Sequence, residues 1–325
     1  MDTYILERDE IVHGILDKLS KNTNVLFLSK RPNVILKNLR SKMITNAGDN
    51  PNLFYDLQNK WAPVYALGLY GSDEVIGMAD TRIDFNSCFL IDYKDIPFYL
   101  PNSTTYNDTR HRKLRAYIRQ DMSVDVLASN GYHGTHIASS AAGDCIDQPK
   151  YNGIAPSARI AFYELSAKRG IIELPSKLEE IFHIPYKLRA RIYMVSWGCS
   201  LEHDSQNLPS ACSYYDSLSY DIDKFVYEND DMLVVTAAGN EGDYGYSTVG
   251  SPATYKNGMA VGSMNDRTST TNENRIKNSG EVSINTVAGF SSKGPVYDGR
   301  IKPDIMASGN FVYSSAADTL RGRVT

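Results

Sequence analysis

The sequence predicts an α/β protein with a mostly parallel central sheet and helices on both of its sides. From Tyr132 onward, short apolar segments typical of strands alternate with segments typical of helices. Strands separated by helices form parallel βαβ units, whose helices cover both faces of the sheet. Three strand-like segments also end in polar motifs, at Asp80, at Ser196–Gly198 and at Gly239-Asn240. In such sheets the functional groups lie at the carboxyl ends of the strands.

The N-terminal part of the chain precedes this alternating pattern. Residues 7–21 place apolar side chains at helical spacing, which predicts an amphipathic helix, and residues 23–30 have the composition of a strand. The polar stretch 46–52 contains Gly, Pro and Asn and is typical of a linker. We therefore divide the chain into an N-terminal extension (1–45), a linker (46–60) and a main domain (61–325).

The main domain begins with a short apolar strand at 73–80, which follows a turn containing glycine. Residues 101–113 are polar and rich in turn formers, so they are expected to form a surface loop. A helix made of small residues is expected from 133 to 143. Further strands are expected at 158–165, 191–198, 232–240 and 254–264, and a further helix at 219–230.

Composition excludes several classes of function. The formal net charge is −4 over 325 residues, and the charges are mixed along the chain. Nucleic-acid binding is therefore not expected. No apolar run is long enough to span a bilayer, so no transmembrane segment is expected. The first 14 residues are polar where a signal peptide has its apolar region, and the sequence leaves the localisation open.

The four cysteines, Cys88, Cys145, Cys199 and Cys212, form no CxxC pattern of a metal or redox site. Cys199 and Cys212 are candidates for a disulfide in an oxidising compartment. The alternative is that the cysteines are free and pack as small apolar side chains. Sequence alone leaves both alternatives open.

Asp80 and His133 are the first candidates for catalytic chemistry. Asp80 ends an apolar strand, where a buried carboxylate needs a partner because an unpaired buried charge is costly. A histidine is one natural partner, since an aspartate orients the imidazole and stabilises its protonated form. His133 opens the helix of small residues, which can approach other backbone closely. Taken singly, each residue is more often structural than catalytic.

Asn240 is the third candidate. It follows the most apolar strand of the chain, in the segment AAGNEG. A side-chain amide that points into a cleft can stabilise a developing oxyanion. Residues 289–309 add a run of turn formers and small residues that is unusual for a plain scaffold.

These segments together resemble the successive signature blocks of the subtilisin-like serine proteases. The blocks occur in that family's order and cover about residues 60–325. They are DTRID (80–84), HGTHIA (133–138), AAGNEG (237–242), VGSPAT (249–254) and FSSKGPVYDGRIKPDI (290–305). The resemblance implies a three-layer α/β/α fold and a serine endopeptidase that hydrolyses polypeptide substrates.

The resemblance also implies roles for individual residues. Asp80 matches the catalytic aspartate, and His133 matches the general base of a Ser-His-Asp mechanism. Asn240 matches the oxyanion-hole amide. Ser196, Trp197 and Gly198 match the edge along which the family pairs an extended substrate by β-strand addition. Residues 1–45 then resemble the remnant of a pro-region, and members of the family are often secreted or lumenal.

The nucleophilic serine of the family lies in a Gly-Thr-Ser-Met-Ala block, and no Gly-Thr-Ser occurs in the 325 residues. We interpret the sequence as a peptidase domain whose C-terminal part, including the nucleophile, is missing, and we expect this chain to be inactive. Arg82 stands where the family usually has glycine, beside the catalytic aspartate. The alternative is a non-catalytic protein that retains only peptide binding.

Other chemistries fit the sequence less well. His133 and His136 are three residues apart, but no HExxH motif or nearby acidic ligand accompanies them, so no metal site is assigned. The glycine-containing segments match neither a P-loop nor GxGxxG. The sequence therefore predicts neither a cofactor nor a bound nucleotide.

Overall fold

The structure is a computed structural model of the chain. It describes residues 21, 34–36, 65, 67–92, 94, 105–107, 109–120, 132–168, 171–199, 212–265, 286–310, 312 and 314–317. The helix predicted at 7–21, the strand at 23–30 and the linker at 46–60 lie outside these residues, apart from Lys21.

The described strands form two sheets. They are β1 (Val34–Leu36), β2 (Val75–Asp80), β3 (Thr105–Asn107), β4 (Leu114–Arg119), β5 (Arg159–Glu164), β6 (Ser166–Lys168), β7 (Ile171–Glu173), β8 (Ile192–Val195), β9 (Trp197–Cys199), β10 (Leu233–Ala237), β11 (Met259–Met264) and β12 (Ile305–Ser308). The main sheet has the order β12-β11-β10-β8-β2-β5-β4-β3. Its strands are parallel except for β3, which pairs antiparallel with β4.

Helices pack on both faces of this sheet because its strands are apolar on both sides. Along β5, Ile160 and Phe162 belong to one apolar core, whereas Ala161 and Tyr163 belong to the other. This alternation follows from the two-residue period of a strand. Helix α1 covers the first core, and helices α2 and α3 cover the second. Their bounds are α1 (Tyr132–Ala142), α2 (Glu179–Lys187) and α3 (Ser217–Glu228). The predicted fold class, a mostly parallel sheet with flanking helices, is confirmed.

The second sheet is small and antiparallel, with the order β6-β7-β1-β9. In it β1 lies between β7 and β9. Val34 is opposite both Ile172 and Cys199, and Leu36 is opposite Trp197. The sequence indicated none of this pairing, because three-residue strands carry too little periodicity to be recognised.

The predicted surface loop at 101–113 is wrong in part. Thr105–Asn107 form β3, and the segment ends in two buried polar residues, His111 and Lys113. Lys113 is buried because its ammonium group donates hydrogen bonds to the carbonyls of Pro156 and Ala158, each over 2.6 Å. The desolvation cost of a buried cation is reduced by such bonds.

All four cysteines are paired. Cys88 bonds to Cys145, with the Cα atoms 5.2 Å apart, and Cys199 bonds to Cys212, with the Cα atoms 5.5 Å apart. The disulfide alternative therefore holds for Cys199 and Cys212, and a second disulfide joins the two cysteines for which no partner was proposed. Cys199–Cys212 lies at the end of β9, so it fixes one end of the small sheet.

Candidate active site

Asp80 is the last residue of β2, a strand near the centre of the main sheet. Its side chain is fully buried. The carboxylate oxygen Oδ1 accepts a hydrogen bond from the backbone N–H of Thr81 over 2.8 Å. The same oxygen lies 2.7 Å from Nδ1 of His133. The structure thus brings together the two residues that the sequence singled out across a separation of 53 positions.

The start of α1 holds His133 against the Asp80 turn. Gly134 donates its backbone N–H to Oγ1 of Thr81 over 3.0 Å, and Thr135 Oγ1 accepts the backbone N–H of Asp84 over 2.8 Å. A Cβ atom at Gly134 would overlap the carbonyl oxygen of Thr81. Only glycine therefore allows the helix to approach this closely, which explains why small residues surround the histidine.

The surroundings of His133 would allow it to act as a general base. With its Nδ1–H donated to the aspartate, the other ring nitrogen, Nε2, is left as a proton acceptor. Nε2 is buried and has no hydrogen-bond partner within the part of the chain that the structure describes. The carboxylate fixes the tautomer and stabilises the imidazolium that forms when Nε2 takes up a proton.

Asn240 lies three residues beyond the end of β10. Gly239 before it has φ of +131°, a backbone conformation that side chains with a Cβ rarely adopt. After the turn at Gly239, Asn240 lies at the rim of an open groove. Among the described residues, the side-chain amide of Asn240 makes no hydrogen bond, so its N–H groups are available to a ligand.

The groove has a volume of about 430 Å³ and lies on the face of the main sheet that carries α1. Along β10, Val234 and Thr236 are buried, whereas Val235 and Ala237 face the groove and are half-buried. Ser196 lines the groove as well. The other lining residues are mostly apolar and include Ile76, Met194, Val261, Phe290 and Ala307. An apolar strip of sheet therefore lies open next to Asn240 and Ser196.

Ser196, Trp197 and Gly198 follow β8 directly, and Trp197 and Gly198 belong to β9. Trp197 is fully buried, and its indole N–H donates to the carbonyl of Ala79 over 2.9 Å. Since Ala79 precedes Asp80, this bond fixes the β9 edge to the strand that carries the aspartate. Gly198 is opposite Ile35 of β1.

The sequence did not reveal that β9 already pairs with another strand of the same chain. β1 fills the gap between β9 and β7, pairing antiparallel with each. The signal was present as the apolar triplet Val34-Ile35-Leu36, but a strand of three residues is not distinguishable from a loop by its pattern. β1 runs toward the end of β9 that adjoins Ser196.

The described ranges contain neither a metal-binding cluster nor a membrane-spanning helix. No group of three or more His, Cys, Asp or Glu side chains in these ranges could hold a metal ion. Within the same residues, no helix has both the length and the apolar character that crossing a membrane requires.

The mostly parallel sheet and the contact between Asp80 and His133 at the end of β2 are features that the resemblance to the subtilisin-like proteases leads us to expect. The sequence pattern of the subtilase family matches residues 71–324, and the chain belongs to that family. It is therefore a serine protease domain of the subtilase family. Proteins with similar sequences include the serine protease/ABC transporter B family protein tagA of Dictyostelium discoideum, 28% identical over 267 residues, and the serine protease AprX of Bacillus subtilis, 27% identical over 191 residues.

These relatives are longer than the chain. The match to tagA covers 78% of this chain and 14% of the relative, and the match to AprX covers 54% and 37%. The fold is also similar to that of the CspB protease of Clostridium perfringens, with a TM-score of 0.54 at 14% identity over 82% of each chain. The prenylagaramide maturation protease PagA has a TM-score of 0.50 at 20% identity, over 83% of this chain and 72% of PagA.

Proposed function

We propose that the chain is the part of a serine endopeptidase that supplies the base, the oxyanion donor and the peptide-binding edge. The observation that carries the proposal is the bond between Asp80 and Nδ1 of His133, with Nε2 buried and open to a proton. Family membership supports the same reaction class. Asp80, His133 and Asn240 are the residues assigned to catalysis.

In the proposed reaction, His133 Nε2 removes the proton of a serine hydroxyl while the serine oxygen bonds to the peptide carbonyl carbon. Asp80 stabilises the imidazolium, and the Asn240 amide donates to the carbonyl oxygen as it becomes negatively charged. The imidazolium then returns its proton to the leaving amine, and the C–N bond breaks. Water then bonds to the acyl carbon while His133 Nε2 takes its proton, and that proton passes to the serine oxygen as the ester C–O bond breaks and the carboxylic acid leaves.

The nucleophile of this proposal is a serine at the start of a helix that fills the apolar groove. The resemblance to the family implies a buried helix of this kind, and the open strip of Val235, Ala237 and Val261 supports it. Asn240 lies at the rim of the same groove. No Gly-Thr-Ser occurs in the 325 residues, so we expect a polypeptide of these residues alone to lack activity.

Substrate is proposed to bind as an extended strand against Ser196, Trp197 and Gly198. The pairing of β1 with β9 supports this, because an extended segment already meets this edge in antiparallel register. Backbone hydrogen bonds then provide affinity that is independent of side chains. We assign residues 1–45, which include β1, to an extension outside the peptidase domain, as expected for a pro-region remnant.

One observation favours a second candidate function, a non-catalytic peptide-binding protein. The sequence lacks the Gly-Thr-Ser block but retains the binding edge. In this alternative, Asp80 and His133 have no catalytic role, and the edge at Ser196–Gly198 binds peptide segments that are not cleaved.

A fluorophosphonate probe distinguishes the two functions, because it labels only an activated serine. We expect the natural gene product to be labelled at one serine, and His133→Ala to reduce labelling about 10⁴-fold or more. His183→Ala, an exposed histidine on α2, is the matched control and should label normally. Absence of labelling in the natural product supports the non-catalytic alternative, whereas labelling of a polypeptide of residues 1–325 contradicts our account of the nucleophile.

A further inference from the structure

The carboxylate of Glu241 contacts the backbone of Asn240, the residue that precedes it. Its Oε2 accepts the backbone N–H of Asn240 over 2.8 Å. The side chain is buried, with 5% of its surface exposed. Within the described residues it forms no ion pair with a cation, and it does not line the groove. No step of the proposed reaction involves this buried carboxylate.

Ser292 completes a ring of hydrogen bonds around this carboxylate. Its hydroxyl donates to Oε2 of Glu241 over 3.0 Å and lies 3.1 Å from the Glu241 backbone N–H, from which it accepts. Its own backbone N–H donates to the carbonyl of Gly239 over 3.0 Å. Two segments that are 51 residues apart, 239–241 and 291–292, are thereby tied together directly behind Asn240.

The backbone at Gly239 depends on the same two side chains. A Cβ atom at this position would overlap Oε2 of Glu241 and the hydroxyl oxygen of Ser292. The absence of a Cβ therefore provides the space in which the carboxylate sits. Gly239 is also conformationally permissive, with its φ of +131°, so it cannot by itself fix the direction in which Asn240 leaves the strand.

We infer that Glu241 is a positioning residue for the oxyanion donor, holding the Asn240 backbone so that its amide points into the active site. The inference rests on the proposed function, since it requires Asn240 to donate to the oxyanion. Donors of this kind act only when they are held where the negative charge develops. Burying a carboxylate without a cationic partner is costly unless it accepts hydrogen bonds. Oε2 of Glu241 accepts one from the Asn240 backbone and one from the Ser292 hydroxyl.

The test is a double-mutant cycle on the natural gene product, with Asn240→Ala, Glu241→Ala and the two combined. Asn240→Ala should lower kcat about 10²–10³-fold, the loss known from removing such a donor in a subtilisin. Glu241→Ala should lower kcat by up to about 10²-fold with KM unchanged, because misplacement by about 1 Å costs that much. In the Asn240→Ala background, Glu241→Ala should cost nothing further.

Two further measurements separate positioning from a general structural role. Glu241→Gln retains an oxygen that can accept the Asn240 N–H, so it should restore most of the turnover. Glu241→Ala should weaken binding of a peptide aldehyde, which forms a tetrahedral oxyanion, without weakening binding of the corresponding peptide alcohol. Ser292→Ala removes the other partner of Oε2 and replaces Glu241→Ala in the cycle if that variant does not fold.

The outcomes distinguish the inference from the function on which it rests. An equal loss from Glu241→Ala in both backgrounds, or a loss confined to KM, overturns the positioning role and leaves the protease function intact. No loss from Asn240→Ala, or no turnover in the unmodified protein, overturns both.

Discussion

Trp197 donates its indole N–H to the carbonyl of Ala79 over 2.9 Å, which joins the β9 edge to the residue before Asp80. The edge that we propose for peptide binding is therefore bonded directly to the strand that carries Asp80, the carboxylate that we propose to orient the base. A displacement of β9 away from β2 would break this hydrogen bond and leave the indole N–H without its acceptor.

Replacing Trp197 with Phe tests this connection. The change leaves the buried carbonyl of Ala79 without its donor, and we expect the free energy of unfolding of the natural gene product to fall by about 1–3 kcal/mol. Urea denaturation measures it. Tyr227→Phe, at an 82% exposed position, is the control and should stay within about 0.5 kcal/mol. Equal stability of the two variants would show that the bond contributes nothing.

Gly134→Ala should separate His133 from Asp80. The added methyl group overlaps the carbonyl of Thr81, so α1 has to move or the backbone has to strain. We expect a loss of about 3 kcal/mol or more, together with loss of turnover. Gly289→Ala is the matched control, because its Cβ has only an ordinary contact, 3.4 Å from Asp243 Oδ1. Normal stability and turnover in Gly134→Ala would contradict the close approach of α1.

Lys113 should make stability depend on alkaline pH. Burial lowers the pKa of Lys113 from 10.5 to about 8. In the unfolded chain the pKa returns to about 10.4. Between about pH 8 and pH 10 the unfolded chain therefore binds more protons than the folded one, and the free energy of unfolding rises with pH.

The variant Lys113→Met has no lysine to titrate at this position. Between about pH 8 and pH 10 its free energy of unfolding should therefore rise by up to about 3 kcal/mol less than that of the unmodified protein. Denaturation curves at several pH values measure the difference. Lys224→Met, whose side chain is 52% exposed in the native protein, should keep the rise. Identical pH profiles for Lys113→Met and the unmodified protein would be evidence that the lysine is solvated.

A polypeptide of residues 1–325 should be poorly packed when it is made alone. Its groove leaves Ile76, Met194 and Val235 partly uncovered, and each large apolar side chain left in water forfeits about 1.5–3 kcal/mol. Since native stability is only about 5–15 kcal/mol, we expect an insoluble or molten product. Dye binding and calorimetry test this, and a cooperative transition in soluble monomer would disprove it.

The parts of the fold that the sequence predicted are the long apolar strands and the motifs at their ends. β2 and β5 are buried on both faces, whereas β8, β10 and β11 bury one face and line the groove with the other. The apolar composition of all five segments indicated strands directly. The residues proposed for the site were recognised from the order in which the family blocks occur in the sequence. Neither Asp80 nor His133 alone indicates catalysis. A contact between them could be expected only because both belong to one set of family blocks.

The remaining features depend on contacts between distant residues. Lys113 is polar, and its burial requires the carbonyls of Pro156 and Ala158, which only the folded chain places beside it. The pairing of Cys88 with Cys145 requires Cα atoms 5.2 Å apart, a distance that spacing in the sequence does not reveal. β1 is too short to produce a pattern, and its place between β7 and β9 is set by the edges it meets.

The position of β1 has a consequence for competition at the edge. Because β1 belongs to the same chain, its effective concentration at β9 does not depend on the concentration of the protein. Dilution of the protein does not separate β1 from β9, and a peptide that binds the proposed β9 edge has to compete with β1. Scission of the chain between β1 and β2 turns this contact into a bimolecular one, and a pairing of three residues is then lost to dilution.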